Sequence, residues 1–145
     1  MKVSLTRVVT FWAEHRYHVP NWSPEKNQEV FGTLGDEPGH GHQYRCGVTV
    51  GGPVGPEGMI MDLGLLDRIL QEEIVSVLDG EHINLVLPEF AYGKTLPTCE
   101  ALAAYFYPRL ERTLPPGVIL ECVRLEEDPT LYADCTGSPP AQEAR

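Results

Sequence analysis

The sequence predicts an α+β two-layer domain with the element order ββααββ, a four-stranded antiparallel sheet carrying two helices on one face. Three observations lead there. Two-residue alternation of apolar side chains marks both ends of the chain, as in half-buried strands. Helical spacing marks the middle. Proline and glycine clusters separate these segments and fix their limits.

Residues 2–15 read as the first strand. Val3, Leu5, Val9, Phe11 and Ala13 share one parity, Arg7 interrupts it, and His15 ends it. Residues 16–39 hold Pro20, Pro24, Pro38, Gly32, Gly35 and Gly39, so they form a long loop with a short turn of helix around Glu25–Val30. Loops of this length in compact domains are often functional. Residues 40–52 are the second strand, in a long hairpin with the first, ended by Gly51-Gly52-Pro53. The first helix spans 62–78, with Asp62 as cap, Leu65, Leu66, Ile69, Ile74, Val77 and Leu78 at helical spacing, and Gly80 as the stop. Residues 81–97 form an irregular crossover. The second helix opens at Thr98, a good N-cap, with Glu100 placed well for the helix dipole. Leu102, Phe106, Leu110 and Leu114 make its stripe, and Pro108 predicts a kink. Residues 118–127 and 130–135 are two strands joined at Asp128-Pro129. Residues 1–136 are expected to form a single domain and 137–145 a disordered tail.

A formal net charge of -10 argues against a nucleic-acid or anionic-membrane surface. No apolar run approaches a membrane span, and the start lacks the apolar block of a signal peptide, so a cytoplasmic location is expected. Cys46, Cys99, Cys122 and Cys135 contain no C-x-x-C pair and are expected to be reduced. The strand edges would be exposed unless paired, so a homo-oligomer assembled through them is expected.

The chemistry centres on Gly39-His40-Gly41-His42-Gln43-Tyr44. On a strand, His40 and His42 project to one face. Neutral imidazole is the commonest metal ligand, and catalytic zinc takes three protein ligands with one open position. His15, at the end of the hairpin partner, completes a three-histidine set, although spacing leaves His18 open as an alternative.

Several segments in order resemble the 6-pyruvoyl-tetrahydropterin synthase family, which also includes 6-carboxy-tetrahydropterin synthase. They are Phe11-Trp12-Ala13-Glu14-His15-Arg16, Asn27 with Phe31-Gly32, His40-Gly41-His42-Gln43-Tyr44, Gly58-Met59-Ile60-Met61-Asp62, Leu78-Asp79 with His82-Ile83-Asn84-Leu85, Pro97-Thr98-Cys99-Glu100, and Glu127. The resemblance implies a tunnelling fold (T-fold), a trimer or hexamer, and zinc held by His15, His40 and His42. It implies 7,8-dihydroneopterin triphosphate as substrate, with no redox cofactor. It places Glu127, or its neighbour Glu126, on the aminopyrimidine edge of the pterin. Thr98 and Cys99 would offer backbone groups to the pterin. His82 would be a catalytic acid/base group with Asp79 or Glu81 as partner, since relatives place an aspartate directly before the histidine. Lys26, Arg16 and Lys94 are candidates for the phosphates.

The family base is a cysteine four or six residues before the first histidine of H-G-H; here those positions are Asp36 and Leu34. Glu37 stands three residues before His40 instead, and E-x-x-H-G-H resembles a glutamate-type subgroup whose product is 6-hydroxymethyl-7,8-dihydropterin. Side-chain cleavage by Glu37 is therefore the expected reaction. A 6-pyruvoyl or 6-carboxy product, or a non-catalytic pterin-binding oligomer with structural zinc, are its rivals.

Overall fold

The computed structural model describes residues 1–139. Its sheet has five strands in the order β3-β1-β2-β4-β5. β1 (Val3–His15) and β2 (His40–Gly52) run antiparallel in unbroken register, from Val3 opposite Gly52 to His15 opposite His40. β4 (Ile119–Asp128) pairs with β2, and β5 (Leu131–Cys135) with β4, also antiparallel. The four expected strands are these. The fifth, β3 (Glu81–His82), lies in the segment expected to be an irregular crossover and pairs parallel with β1. Two residues carry no alternation, so no periodic signal marks it.

The loop between β1 and β2 contains α1 (Pro24–Phe31) and a 3-10 turn at Gly32–Gly35. Ser23 caps α1 by accepting the Lys26 N–H, and Pro24 sits at the helix start, where no N–H partner is needed. Buried Asn27 closes the loop on itself: its side chain accepts from Val19 N–H and donates to the Val19 carbonyl.

α2 (Leu63–Leu70) is capped by Asp62, whose carboxylate accepts the Gly64 N–H. It continues through a π-helical turn (Gln71–Val75) into α3 (Ser76–Leu78). α4 (Ile83–Val86) follows β3. α5 (Cys99–Glu111) is capped by Thr98, which accepts from Ala101 N–H at 3.1 Å, and it runs through Pro108. Both expected caps are thus in place. The described helices include none long and apolar enough to cross a membrane.

Phe11 and Ala13 of β1, Tyr44, Cys46, Val48 and Val50 of β2, and Leu120, Val123 and Leu125 of β4 point to the same side. There they bury against Leu66, Ile69, Leu70 and Ile74 of the first helix and Leu102, Phe106 and Leu110 of α5. One sheet face is therefore core. The other carries Thr6, Arg45, Thr49 and Arg124 beside a shallow cavity of about 390 Å³. The inward parity that fills the core also carries His15, His40 and His42 at the open end of the hairpin. Of the expected tail, residues 137–139 are described and residues 140–145 lie outside the described residues.

Candidate metal centre

His15 lies opposite His40 in the β1–β2 register, and His42 lies opposite Ala13 two residues further along the same face. The ring centroids are 4.7 Å apart for His15 and His40, and 5.0 Å for His42 to each of the others. One nitrogen from each ring falls within a sphere of separations no larger than 4.8 Å, and His15 Nε2 and His40 Nε2 are 3.0 Å apart.

These rings are held in the form a metal needs. His15 is fully buried, and burial, then the neighbouring His40 and His42, bring its pKa down to about 3. Burial also lowers His40 and His42. Neutral rings keep one lone pair each for a ligand. His42 Nε2 is buried without a hydrogen-bond partner. Tetrahedral zinc with Zn–N near 2.1 Å calls for nitrogens about 3.4 Å apart. The donor set therefore fits a zinc-type ion held by three imidazoles.

Tyr44 completes the set behind His15. Its hydroxyl lies 2.9 Å from His15 Nδ1, and its ring stacks on Phe11 with centroids 5.1 Å apart. When Nε2 faces the centre with its lone pair, Nδ1 carries the proton and the Tyr44 oxygen accepts it. Sequence reasoning gave Tyr44 no role. The signal was there, since it lies two residues beyond His42 on the same face. Gly41, between the two ligands, has a spatial reason: a Cβ there would lie 2.2 Å from the Trp12 ring, which covers the back of the strand.

Of the two neighbouring glutamates, Glu127 is the one that lies against the imidazoles. Glu126 lies opposite Arg45, on the face away from the core, and pairs with it at 3.2 Å. Glu127 turns inward, with Oε2 at 3.5 Å from His42 Nε2 and 3.8 Å from His15 Nε2. That oxygen is buried without a hydrogen-bond partner. Burial first, then Asp128, raises the Glu127 carboxyl above its ordinary range. Cys99, at the start of α5 after Thr98, lies against Glu127. Its thiol is pushed up to about 12 by burial and by that carboxylate.

The remaining expected residues contribute no atom to the three-imidazole group. Glu37 is 80% exposed at its side chain, and its nearest charged partner is Arg16 at 3.6 Å. His82 donates from Nε2 to the Pro38 carbonyl at 2.9 Å, while its Nδ1 is buried and unpartnered. The Asp79 carboxylate accepts the Trp12 backbone N–H at 2.9 Å. Among the described residues, neither Asp79 nor Glu81 comes within ion-pair distance of His82. His18 lies outside the cluster, edge-on to Tyr92. Arg16 is committed to the Gly35 carbonyl and Glu37, and Lys26 sits over the Trp22 ring. Asn84 is buried and ties the region together: it accepts from Arg16 N–H and donates to the Phe90 carbonyl.

The chain is similar to known proteins over most of its length. The 6-pyruvoyl tetrahydropterin synthase family model matches residues 4–138. The chain is 34% identical over 128 residues to the human 6-pyruvoyl tetrahydrobiopterin synthase, covering 88% of this chain and 87% of that protein. It is 37% identical over 124 residues to the Poecilia reticulata 6-pyruvoyl tetrahydrobiopterin synthase, covering 85% and 82%. The solved structure of Caenorhabditis elegans 6-pyruvoyl tetrahydropterin synthase superposes with a TM-score of 0.85 at 31% identity, covering 95% of this chain and 97% of that one.

Proposed function

Because the chain belongs to the 6-pyruvoyl tetrahydropterin synthase family, we propose that it is a zinc-dependent lyase that cleaves the side chain of 7,8-dihydroneopterin triphosphate to 6-hydroxymethyl-7,8-dihydropterin. The observation that carries the reading is the convergence of His15, His40 and His42 as neutral rings around one point. They would hold zinc, which when bound acts as a Lewis acid on the side-chain hydroxyls.

The chain's own groups supply the proton steps. Glu37, turned from Arg16 toward the substrate, takes the proton of the 2′-hydroxyl. The C1′–C2′ bond breaks, C2′ leaves as an aldehyde that keeps the triphosphate, and the electron pair passes to C1′ and the ring. A proton returns at C1′. His82 would hold that proton at Nδ1, since its Nε2 donates to the Pro38 carbonyl. Glu127 meets the two adjacent N–H donors of the aminopyrimidine edge, and the backbone at Thr98 and Cys99 borders it. No cysteine serves as the base in this reading. The loop before His40 has none, and burial pushes the Cys46 and Cys99 thiols up to about 12, far from thiolate character near neutrality.

Two observations favour other readings. The curated relatives bear the name 6-pyruvoyl tetrahydrobiopterin synthase, which favours a 6-pyruvoyl product. The nearness of Glu127 to two ligand nitrogens favours a closed site with structural zinc in a non-catalytic pterin-binding oligomer. Glu127→Ala separates anchor from ligand. As an anchor, Glu127 contributes charge-assisted hydrogen bonds of about 2–3 kcal/mol, so pterin affinity should fall roughly 30- to 150-fold with zinc content kept. Loss of zinc in the variant, measured by elemental analysis, would make Glu127 a ligand.

Tyr44→Phe removes the acceptor of the His15 Nδ1 proton and keeps the ring. Chelator competition should give a zinc affinity lower by about 10- to 100-fold. The reading includes a cytoplasmic homo-oligomer, trimer or hexamer, which sedimentation equilibrium would determine. The direct test of the function is turnover of 7,8-dihydroneopterin triphosphate by the zinc-loaded protein. Absence of turnover with pterin binding retained would favour the non-catalytic reading.

A further inference from the structure

Asp79 ends the first helical segment, and Gly80 and Glu81 separate it from His82. Its contacts lie elsewhere. Asp79 Oδ1 accepts the Trp12 N–H at 2.9 Å, and the Gly80 N–H donates to the Trp12 carbonyl at 2.7 Å. Both backbone groups of Trp12 on that edge of β1 are thus taken by two consecutive residues outside any strand.

The next two residues are β3, with Glu81 opposite Ala13 and His82 opposite Glu14. Asp79 therefore extends the short parallel ladder with a side-chain oxygen in place of a backbone carbonyl. It also sits where α3 ends, and Gly80, at φ +77°, makes the turn. The ladder places His82, whose Nε2–H reaches the Pro38 carbonyl in the loop that carries Glu37. That loop has no slack there. A Cβ on Gly39 would lie 2.7 Å from the His15 carbonyl and 3.0 Å from His82 Nε2.

We propose that Asp79 is a positioning residue: it sets the register of β3 on β1 as a hydrogen-bond acceptor and, through His82, holds the Glu37–Gly39 loop beside the imidazole cluster. It is not the charge partner of His82. The catalytic part of this inference rests on the proposed roles of Glu37 and His82.

The two roles make different demands. An acceptor needs an oxygen, which asparagine also has; a charge partner needs the negative charge, which asparagine lacks. The experiment compares Asp79→Asn and Asp79→Ala in the full zinc-loaded chain, reading hydrogen exchange of the Trp12 amide together with kcat and KM for 7,8-dihydroneopterin triphosphate. The asparagine variant is expected to keep Trp12 protected and kcat within about threefold of the parent. The alanine variant is expected to exchange at Trp12 at least about tenfold faster. Its kcat should fall about 10- to 100-fold, with KM and zinc content unchanged. A kcat that falls as far in Asp79→Asn as in Asp79→Ala, with Trp12 still protected, would overturn the proposal in favour of a charge partner. An alanine variant with Trp12 protection and kcat both unchanged would overturn it as well. Should the parent protein not turn over, the reaction assigned above fails, and Trp12 exchange in the two variants alone decides the role of Asp79.

Discussion

Replacing His40 with alanine is expected to empty the metal centre and lower turnover by roughly a thousandfold, the effect of losing about 4 kcal/mol of Lewis-acid stabilisation. His40 is the best ligand to remove. It is only partly buried, and among the described residues its Nδ1 has no hydrogen-bond partner, so little of the fold depends on it. His15 is a poorer choice, because it is fully buried and bonded to Tyr44, and its loss would leave that hydroxyl unpaired in the core. Metal content by elemental analysis and the thermal midpoint should be read together for His40→Ala. Zinc lost with the midpoint of the metal-free parent retained is the expected pair. Full zinc content in the variant would remove His40 from the ligand set.

Glu37→Gln is expected to lower turnover by about 10²- to 10⁴-fold, the usual contribution of a positioned general base. Zinc content should not change, because Glu37 lies outside the ligand cluster. Stability should stay within about 0.5 kcal/mol, because its 3.6 Å pair with Arg16 is exposed and such pairs contribute little. Chemical denaturation and steady-state kinetics on the same preparation check both halves. Turnover equal to the parent's would leave Glu37 as one more surface charge.

Much of this architecture is legible in the sequence because it is periodic. The parity of Phe11, Ala13 and His15 on one strand, and of His40, His42, Tyr44 and Cys46 on the next, fixes both the core face and the imidazole cluster. Caps Asp62 and Thr98 are equally local signals. The T-fold itself follows from the ordered motifs, and the Caenorhabditis elegans structure shares it. What the sequence hides is tertiary. Glu126 and Glu127 cannot be told apart until Arg45 is seen opposite Glu126. β3 is too short to leave a pattern, and its placement depends on Asp79 reaching a backbone amide 67 residues away. No local pattern announces that contact, because the Trp12 amide lies in the first strand and Asp79 at the end of a helix.

The proposed product rests on the loop just before the imidazole cluster, which carries Glu37. Glu37 lies 3.6 Å from Arg16, the Pro38 carbonyl accepts from His82, and Gly39 packs against the His15 backbone. The most direct test is to incubate the zinc-loaded protein with 7,8-dihydroneopterin triphosphate and identify the product by mass. The account predicts 6-hydroxymethyl-7,8-dihydropterin from the parent protein and its loss in Glu37→Gln. A 6-pyruvoyl or 6-carboxy product would contradict it.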